Sequence, residues 1–449
     1  MMNLKLSYYL IPSDDIEISD KEVKQVLFAT RTGSVITLDK RYIEMLNKKE
    51  FEKLPNKILK DLIEIQAIVS EEEDELLHVL TENEDAINSD SVLSLVIQPG
   101  ASCQLGCHYC GQKHSNDYMD EGLIKNTVAR IKHKIYTEYP KAMSVTWYGA
   151  EPLMGLRQIR EMSPKILELA DDNKIDYIAH MVTNGMSLKF DIYKELVDKY
   201  RIKSYQITLD GTAEYHDRNR FLKKDKGPSF DIIFNNIIKI ATSDHYKKSG
   251  ANITIRCNVD NNNVEGLPEL IKALKDNNLQ DKVGFYLVPV HKWGENDAEA
   301  NTGVEKNSFA QQEIDWMISL IESGFEVDIL PERKKIACSS VKKNSEVYDA
   351  YGTISSCWEV PYTEPYGNSK YEFGHVAFPV ETEGVEIPMR NWNQDILNKD
   401  YGCKTCKLLP VCGGECPIHW ETGTPACPSF KFNIKERLLL KYIAVNGGI

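Results

Sequence analysis

Between about residues 93 and 330 the chain alternates short apolar runs with longer helix-period stretches. Strand-like runs fall at 92–98 (VLSLVIQ), 144–148, 177–182, 204–209, 251–257 and 283–290. Between them the spacing predicts helices over 121–138, 157–171, 190–200, 229–242 and 264–276. Such alternation means βαβ units and a parallel sheet. Six units are too few for an eight-stranded closed barrel, so an α/β, open, partial (β/α)6 barrel is expected. Ligands on such sheets bind at the carboxyl ends of the strands.

The flanks differ. Residues 25–30 and 34–39 read as two strands around Arg31-Thr32-Gly33, with short helical patterns at 42–46 and 58–63. Strands with small helices suggest a winged-helix-like module over residues 1–92. The run Glu71–Glu75 reads as a solvated helix start. Beyond about residue 331 the periodicity weakens, and no long helix is expected until 431–445. A loop-rich segment over 331–449 needs another organising force, and bound metal can supply one.

Composition narrows the classes. The 449 residues carry 42% hydrophobic and 27% charged side chains, enough for a packed core. The net charge of −13, most of it in the first 90 residues, opposes binding to nucleic acid. No apolar run suggests a membrane span and the start lacks a signal-peptide pattern, so a cytoplasmic protein with no membrane partner is expected. Eleven cysteines in that compartment point to metal rather than to disulfides. Three fall within eight residues, seven follow residue 337, and Cys257 stands alone as a small buried hydrophobe.

Cys103-x3-Cys107-x2-Cys110 follows the first barrel strand. Three thiolates there can hold three irons of a [4Fe–4S] cluster and leave the fourth open. A zinc knuckle is the plain alternative, though His108 is awkwardly placed as a fourth ligand.

CQLGCHYC resembles the C-x3-C-x-aromatic-C signature of radical S-adenosylmethionine (radical SAM) enzymes. Tyr148-Gly149-Ala150-Glu151-Pro152 is similar to that family's Gly-Gly-Glu-Pro motif, with one glycine missing. Thr183-Asn184-Gly185 follows, then Gln206-Ile207-Thr208-Leu209-Asp210-Gly211 and His216-Asp217-x2-Arg220, a block resembling the peptide-modifying branch. The resemblance implies an open iron that chelates S-adenosylmethionine, and reductive cleavage to a 5′-deoxyadenosyl radical that abstracts a substrate hydrogen. It implies that Tyr109 lies against the adenine, that Gly149 and Glu151 meet the methionyl ammonium, that Thr208 meets the ribose or methionyl portion, and that Arg220 pairs with the carboxylate.

Cys338-x13-Gly352-x4-Cys357, then Cys403-x2-Cys406-x5-Cys412-x3-Cys416, then Cys427, resembles the SPASM domain of radical SAM peptide maturases. A pair of zinc ribbons is the alternative. The resemblance implies two auxiliary [4Fe–4S] clusters, one on Cys338, Cys357 and Cys416, the other on Cys403, Cys406, Cys412 and Cys427. With the barrel cluster that makes three, and one auxiliary iron lacks a cysteine. Anaerobic sulfatase maturases carry an acid directly after the cysteine matching Cys357, whereas Trp358 stands here, with Glu359 one further on.

The expected protein is a radical SAM/SPASM maturase of a ribosomally made precursor peptide. Its winged-helix-like segment would bind the leader by strand addition, and a flavodoxin or ferredoxin would supply electrons. A thioether crosslink is favoured, with a carbon–carbon or carbon–oxygen crosslink next. The alternatives are a formylglycine-forming sulfatase maturase and a zinc-stabilised, non-catalytic peptide-binding scaffold.

Overall fold

The computed structural model describes residues 3–19, 22–366, 371–378, 387–421, 423 and 425–448. The first segment holds more strands than the two expected. Strands β1 (Leu4–Leu6), β2 (Leu10–Pro12), β3 (Ile16–Ser19), β4 (Glu22–Ala29), β5 (Ser34–Asp39) and β6 (Ile68–Ser70) accompany helices Lys40–Asn47, Asn56–Glu64 and Glu75–Ile87. Central β4 pairs β5 on one edge and β2 and β3 in succession on the other, all antiparallel. Three of the extra strands are three residues long, too short to show a period of two.

The acidic run is more than a solvated helix start. Asp74 caps the helix by accepting from the Leu77 N–H (3.0 Å). Glu73 and Glu75 pair with the buried guanidinium of Arg31, at 2.6 and 3.4 Å. Glu75 also accepts hydrogen bonds from the Ser7 hydroxyl and the Tyr8 N–H.

Strands β7 (Val92–Ile97), β8 (Ala142–Trp147), β9 (Asp176–Thr183), β10 (Ile202–Thr208), β11 (Asn252–Val259) and β12 (Val283–Pro289) lie side by side in chain order, all parallel. Helices at 121–138, 156–172, 190–200, 230–241 and 267–276 return the chain between them. The partial (β/α)6 barrel is therefore present. Its core is built from strand residues such as Val145, Met181, Ile207 and Ile255 and helix residues such as Ile159, Leu196, Ile237 and Leu270.

With β12 at one edge, the sheet continues past β7 at the other. Strand β13 (Ser345–Tyr348) runs parallel to β7, and β14 (Thr353–Ser355) and β15 (Glu372–His375) follow antiparallel, making nine strands in all. The cysteine-rich segment thus shares a continuous backbone ladder with the barrel across residue 330. A buried carboxylate fixes the join: Glu346 of β13 accepts from Arg130 (2.6 Å) and from the Tyr348 hydroxyl (2.7 Å).

The N-terminal segment packs on the cysteine-rich segment. Tyr9, Val79, Leu80 and Ile87 share a cluster with Cys357, Trp392, Ile418 and Trp420. Ile11, Val26 and Phe28 meet Leu408, Val411 and Leu438. Helix Lys306–Glu322, absent from the sequence expectation, lies against helix Phe430–Val445. Its stripe is broken by Glu313, whose carboxylate is buried and paired with Arg437 at 2.6 Å. Among the described residues no helix is long and apolar enough to cross a membrane.

Asp349, in the turn after β13, accepts from the Tyr351 and Thr353 N–H groups at 2.9 and 2.8 Å. Burial pushes its carboxyl up to about 6. A carboxyl raised on folding favours the folded state when protonated, so stability falls as pH rises from about 4 to about 6. Asp349→Asn should flatten that slope, removing at most about 3 kcal/mol of pH-dependent change. Denaturation midpoints across this pH range measure it, and equal slopes in the two proteins would refute it.

Candidate active site

The loop after β7 carries Cys103, Cys107 and Cys110 to the carboxyl rim of the barrel. All three line a cleft of about 640 Å³ with Tyr109, Tyr148, Gly149, Ala150, Thr183, Asn184, Thr208 and Arg220. Tyr109 belongs to the cysteine loop itself and Arg220 follows the helix Ala213–Asn219, while each of the other walls ends a strand or follows one closely. Burial pushes the Cys103 thiol to about 11 and the Cys107 thiol to about 12. Buried thiolates in such a place need a compensating charge, and iron supplies one. The donor set therefore fits a cluster with three cysteine ligands.

His108 does not face the thiols. Its Nε2 lies 2.9 Å from a buried Asp260 carboxylate oxygen. The side chain of Asn296 donates to the carbonyls of His108 (2.7 Å) and Cys110 (3.4 Å), anchoring the loop from the far side.

The missing glycine of the second motif is accommodated by strain. Gly149 has φ +84° and Ala150 φ +47°, so two successive residues are left-handed. The Ala150 N–H is held by Gln112 Oε1 at 2.8 Å. Glu151 is buried and accepts from the Thr183 hydroxyl (2.7 Å), the Asn184 N–H (2.7 Å) and the Leu153 N–H (3.0 Å). Burial still holds its carboxyl above the usual range.

Tyr109 and Arg220 meet each other. The Tyr109 hydroxyl donates to Asp210 and accepts from Arg220 Nη1 (2.7 Å) and Asn258 Nδ2 (3.0 Å). Asp210 also accepts from the Asn258 N–H at 2.9 Å. Arg220 is buried, and its Nε has no hydrogen-bond partner among the described residues. Arg220 lines the cleft, and a guanidinium there suits an anionic ligand. Asp210 stood in the quoted motif without a role, and Asn258, next to Cys257, gave no signal at all. Only the pairing of β10 with β11 brings them together.

A second chamber of about 670 Å³ shares Tyr109, Tyr148, Val182, Thr208, Arg220 and Trp293 with the first. Its far wall adds Gln206, Arg256, Asn258, His291 and Glu359. Trp358 stacks on Tyr148, with ring centres 5.0 Å apart, and its carbonyl accepts from Gln98. Glu359, two residues past Cys357, therefore lines a chamber that shares six wall residues with the thiol cleft. Burial raises its carboxyl, and Arg256 opposes that rise.

The C-terminal cysteines gather in two places. Cys403, Cys406, Cys412 and Cys427 line one cavity of about 340 Å³, with Lys431 Nζ 3.2 Å from the Cys427 sulfur. Cys338, Cys357 and Cys416 lie near one another, each affected by the charge of Glu359, and burial raises all three thiols. Cys257 is fully buried among apolar side chains, as its sequence context implied.

The three-thiol loop and the strand ends that wall the cleft lie in the part of the chain that a known family matches. Residues 97–244 match the Radical SAM superfamily, and the chain carries that domain, which takes S-adenosylmethionine and a [4Fe–4S] cluster. The non-catalytic zinc scaffold is thereby set aside. The chain is 25% identical over 381 residues to a cysteine-type anaerobic sulfatase-maturating enzyme of Clostridium novyi (strain NT), covering 78% of this chain and 97% of that one. Its fold is similar to native anSMEcpe with bound AdoMet (18% identity, TM-score 0.59, 79% of this chain and 98% of that one). It is also similar to Streptococcus suis SuiB bound to S-adenosylmethionine (15% identity, TM-score 0.51, 91% and 97%).

A methyl group at position 149 would lie 2.3 Å from the Gln98 side chain, and the left-handed φ costs about 1–2 kcal/mol besides. Gly149→Ala should lower the melting temperature and weaken S-adenosylmethionine binding, read by calorimetry and equilibrium dialysis. Unchanged affinity would show that this turn does not shape the cleft.

Proposed function

We propose that the protein is a radical SAM maturase of a ribosomally made precursor peptide, acting in a reducing cytoplasm. The observation that carries this is the second chamber, which shares six wall residues with the three-thiol cleft and reaches Glu359, two residues past Cys357. The known proteins support it: the relatives named above include a sulfatase-maturating enzyme, and peptide-bound anSMEcpe shares the fold (TM-score 0.56).

In this reading Cys103, Cys107 and Cys110 hold the cluster that binds S-adenosylmethionine. When bound, that pair supplies a 5′-deoxyadenosyl radical able to take a hydrogen atom from the substrate. Tyr109 presents its ring to the adenine, and its hydroxyl stays fixed by Asp210 and Asn258. Gly149 and Glu151 receive the methionyl ammonium, Thr208 the ribose side, and the Arg220 guanidinium the carboxylate. Trp293 and Tyr148, the latter backed by Trp358, wall the chamber and exclude water from a reactive carbon centre.

Cys338, Cys357 and Cys416 hold one auxiliary cluster, and Cys403, Cys406, Cys412 and Cys427 the other. A flavodoxin or ferredoxin is the expected reductant. The three segments 1–92, 93–330 and 331–449 divide leader recognition, radical generation and auxiliary clusters. The favoured product is a thioether between a cysteine sulfur and a carbon, with carbon–carbon or carbon–oxygen crosslinks next.

A specific observation keeps formylglycine formation as the second reading. Trp358 occupies the position after Cys357, yet Glu359 brings a carboxylate to the chamber.

Anaerobically reconstituted protein should hold about twelve irons and release 5′-deoxyadenosine on reduction with S-adenosylmethionine. Replacing Cys103, Cys107 and Cys110 together with alanine should abolish that release. Release that persists in the triple variant would end this reading. Mass spectrometry of a cysteine-containing precursor separates the products: two hydrogens lost with no free thiol means a thioether, and an aldehyde that reacts with hydrazine means formylglycine.

A further inference from the structure

His216 and Asp217 stand in a motif of which the cleft uses only Arg220. Both are nevertheless engaged. His216 is fully buried in the middle of a short helix, Ala213–Asn219, and its ring bridges two fixed groups. Nδ1 lies 3.1 Å from the Asp210 N–H, which can only donate, so Nδ1 accepts. The ring proton therefore sits on Nε2 and points to the Ser229 hydroxyl at 3.1 Å. Ser229 in turn donates to the Arg220 carbonyl at 2.5 Å. The Arg220 N–H closes the loop on the His216 carbonyl at 2.8 Å. Asp217 accepts from the Ser229 and Phe230 N–H groups at 2.7 and 2.9 Å, which fixes the hydroxyl in place.

The segment this clasp holds also touches the cysteine loop. The His108 N–H donates to Asn219 (3.1 Å), the Gly106 N–H to Phe221 (2.9 Å) and the Lys223 N–H to Gln104 (2.9 Å). Leu105 and Leu222 form an antiparallel bridge. Residues 104–108 and 219–223 thus form a short two-stranded tie between the thiols and Arg220.

We propose that His216, Asp217 and Ser229 are positioning residues that lock this tie, holding Arg220 and the cysteine loop in one register. They touch no ligand themselves. A guanidinium whose backbone is pinned at both its N–H and its C=O cannot shift without moving the thiols. A ligand spanning the open iron and Arg220 then meets a preorganised site.

The inference rests on the cleft being the S-adenosylmethionine site, and the test separates the two. Affinity for S-adenosylmethionine is measured by anaerobic equilibrium dialysis on the reconstituted full chain, with iron content determined alongside. If the unmodified protein binds none, the reading of the cleft fails. If it binds, Ser229→Ala should weaken affinity about tenfold and His216→Ala more, at unchanged iron content, since each frees a buried hydrogen-bonding group. His216→Gln, whose amide can reach Ser229, should recover part of the loss. Affinity equal to the unmodified protein in both alanine variants would overturn the proposal, as would a glutamine variant no better than alanine. Should His216→Ala fail to fold or take up iron, Ser229→Ala and Ser229→Thr carry the comparison. Threonine keeps the hydroxyl and should bind as the unmodified protein does. Weakening by threonine equal to that by alanine would also overturn the proposal.

Discussion

Parallel strands cannot be joined by tight turns. Every connection must cross back over the sheet, so each loop that follows a strand emerges at the same rim. That constraint places the cysteine loop after β7, Tyr148 and Gly149 after β8, Asn184 after β9 and Thr208 at the end of β10 around one cleft. Residues more than a hundred positions apart in the chain meet because the sheet leaves them nowhere else to go. The chemistry then depends on which side chains stand at those ends.

Those side chains are held mainly by each other. Glu151 has its carboxylate filled by Thr183 and two backbone N–H groups, so its place is fixed before any ligand arrives. Tyr109, Asp210, Asn258 and Arg220 form a second such unit. Buried polar groups that satisfy one another in this way hold one conformation, because each alternative leaves a donor or acceptor unpaired. Arg220, which lines the cleft, is the exception: its buried Nε has no hydrogen-bond partner among the described residues.

The cysteine-rich segment is joined to both neighbours. Strand β13 adds to the barrel sheet beside β7, and the N-terminal helix Glu75–Ile87 packs on Trp392, Ile418 and Trp420. The Tyr8 hydroxyl donates to the Thr405 carbonyl at 2.6 Å, and Thr30 donates to that of Lys407 at 2.7 Å. The first segment therefore braces the loop that carries Cys403 and Cys406. A loop-rich region gains from such packing, which orders backbone that has few ladders of its own.

By itself the sequence determined the alternation of six strands and their helices, since apolar period is local. Helix limits such as 121–138 and 190–200 coincide with the structure. Cysteine spacing, also local, marked the three-thiol loop and the seven later thiols. What pattern could not reach was whatever depends on pairing between distant segments. The short N-terminal strands carry too few residues for a period, and helix Lys306–Glu322 hides its apolar face behind a buried Glu313. The approach of Asn258 to Tyr109, the entry of Glu359 into the chamber and the clasp around His216 were likewise decided by tertiary structure. A hydrogen bond or shared cavity between residues tens to hundreds of positions apart leaves no trace in either one's local sequence. Only the order in which the strands pack brings them within reach.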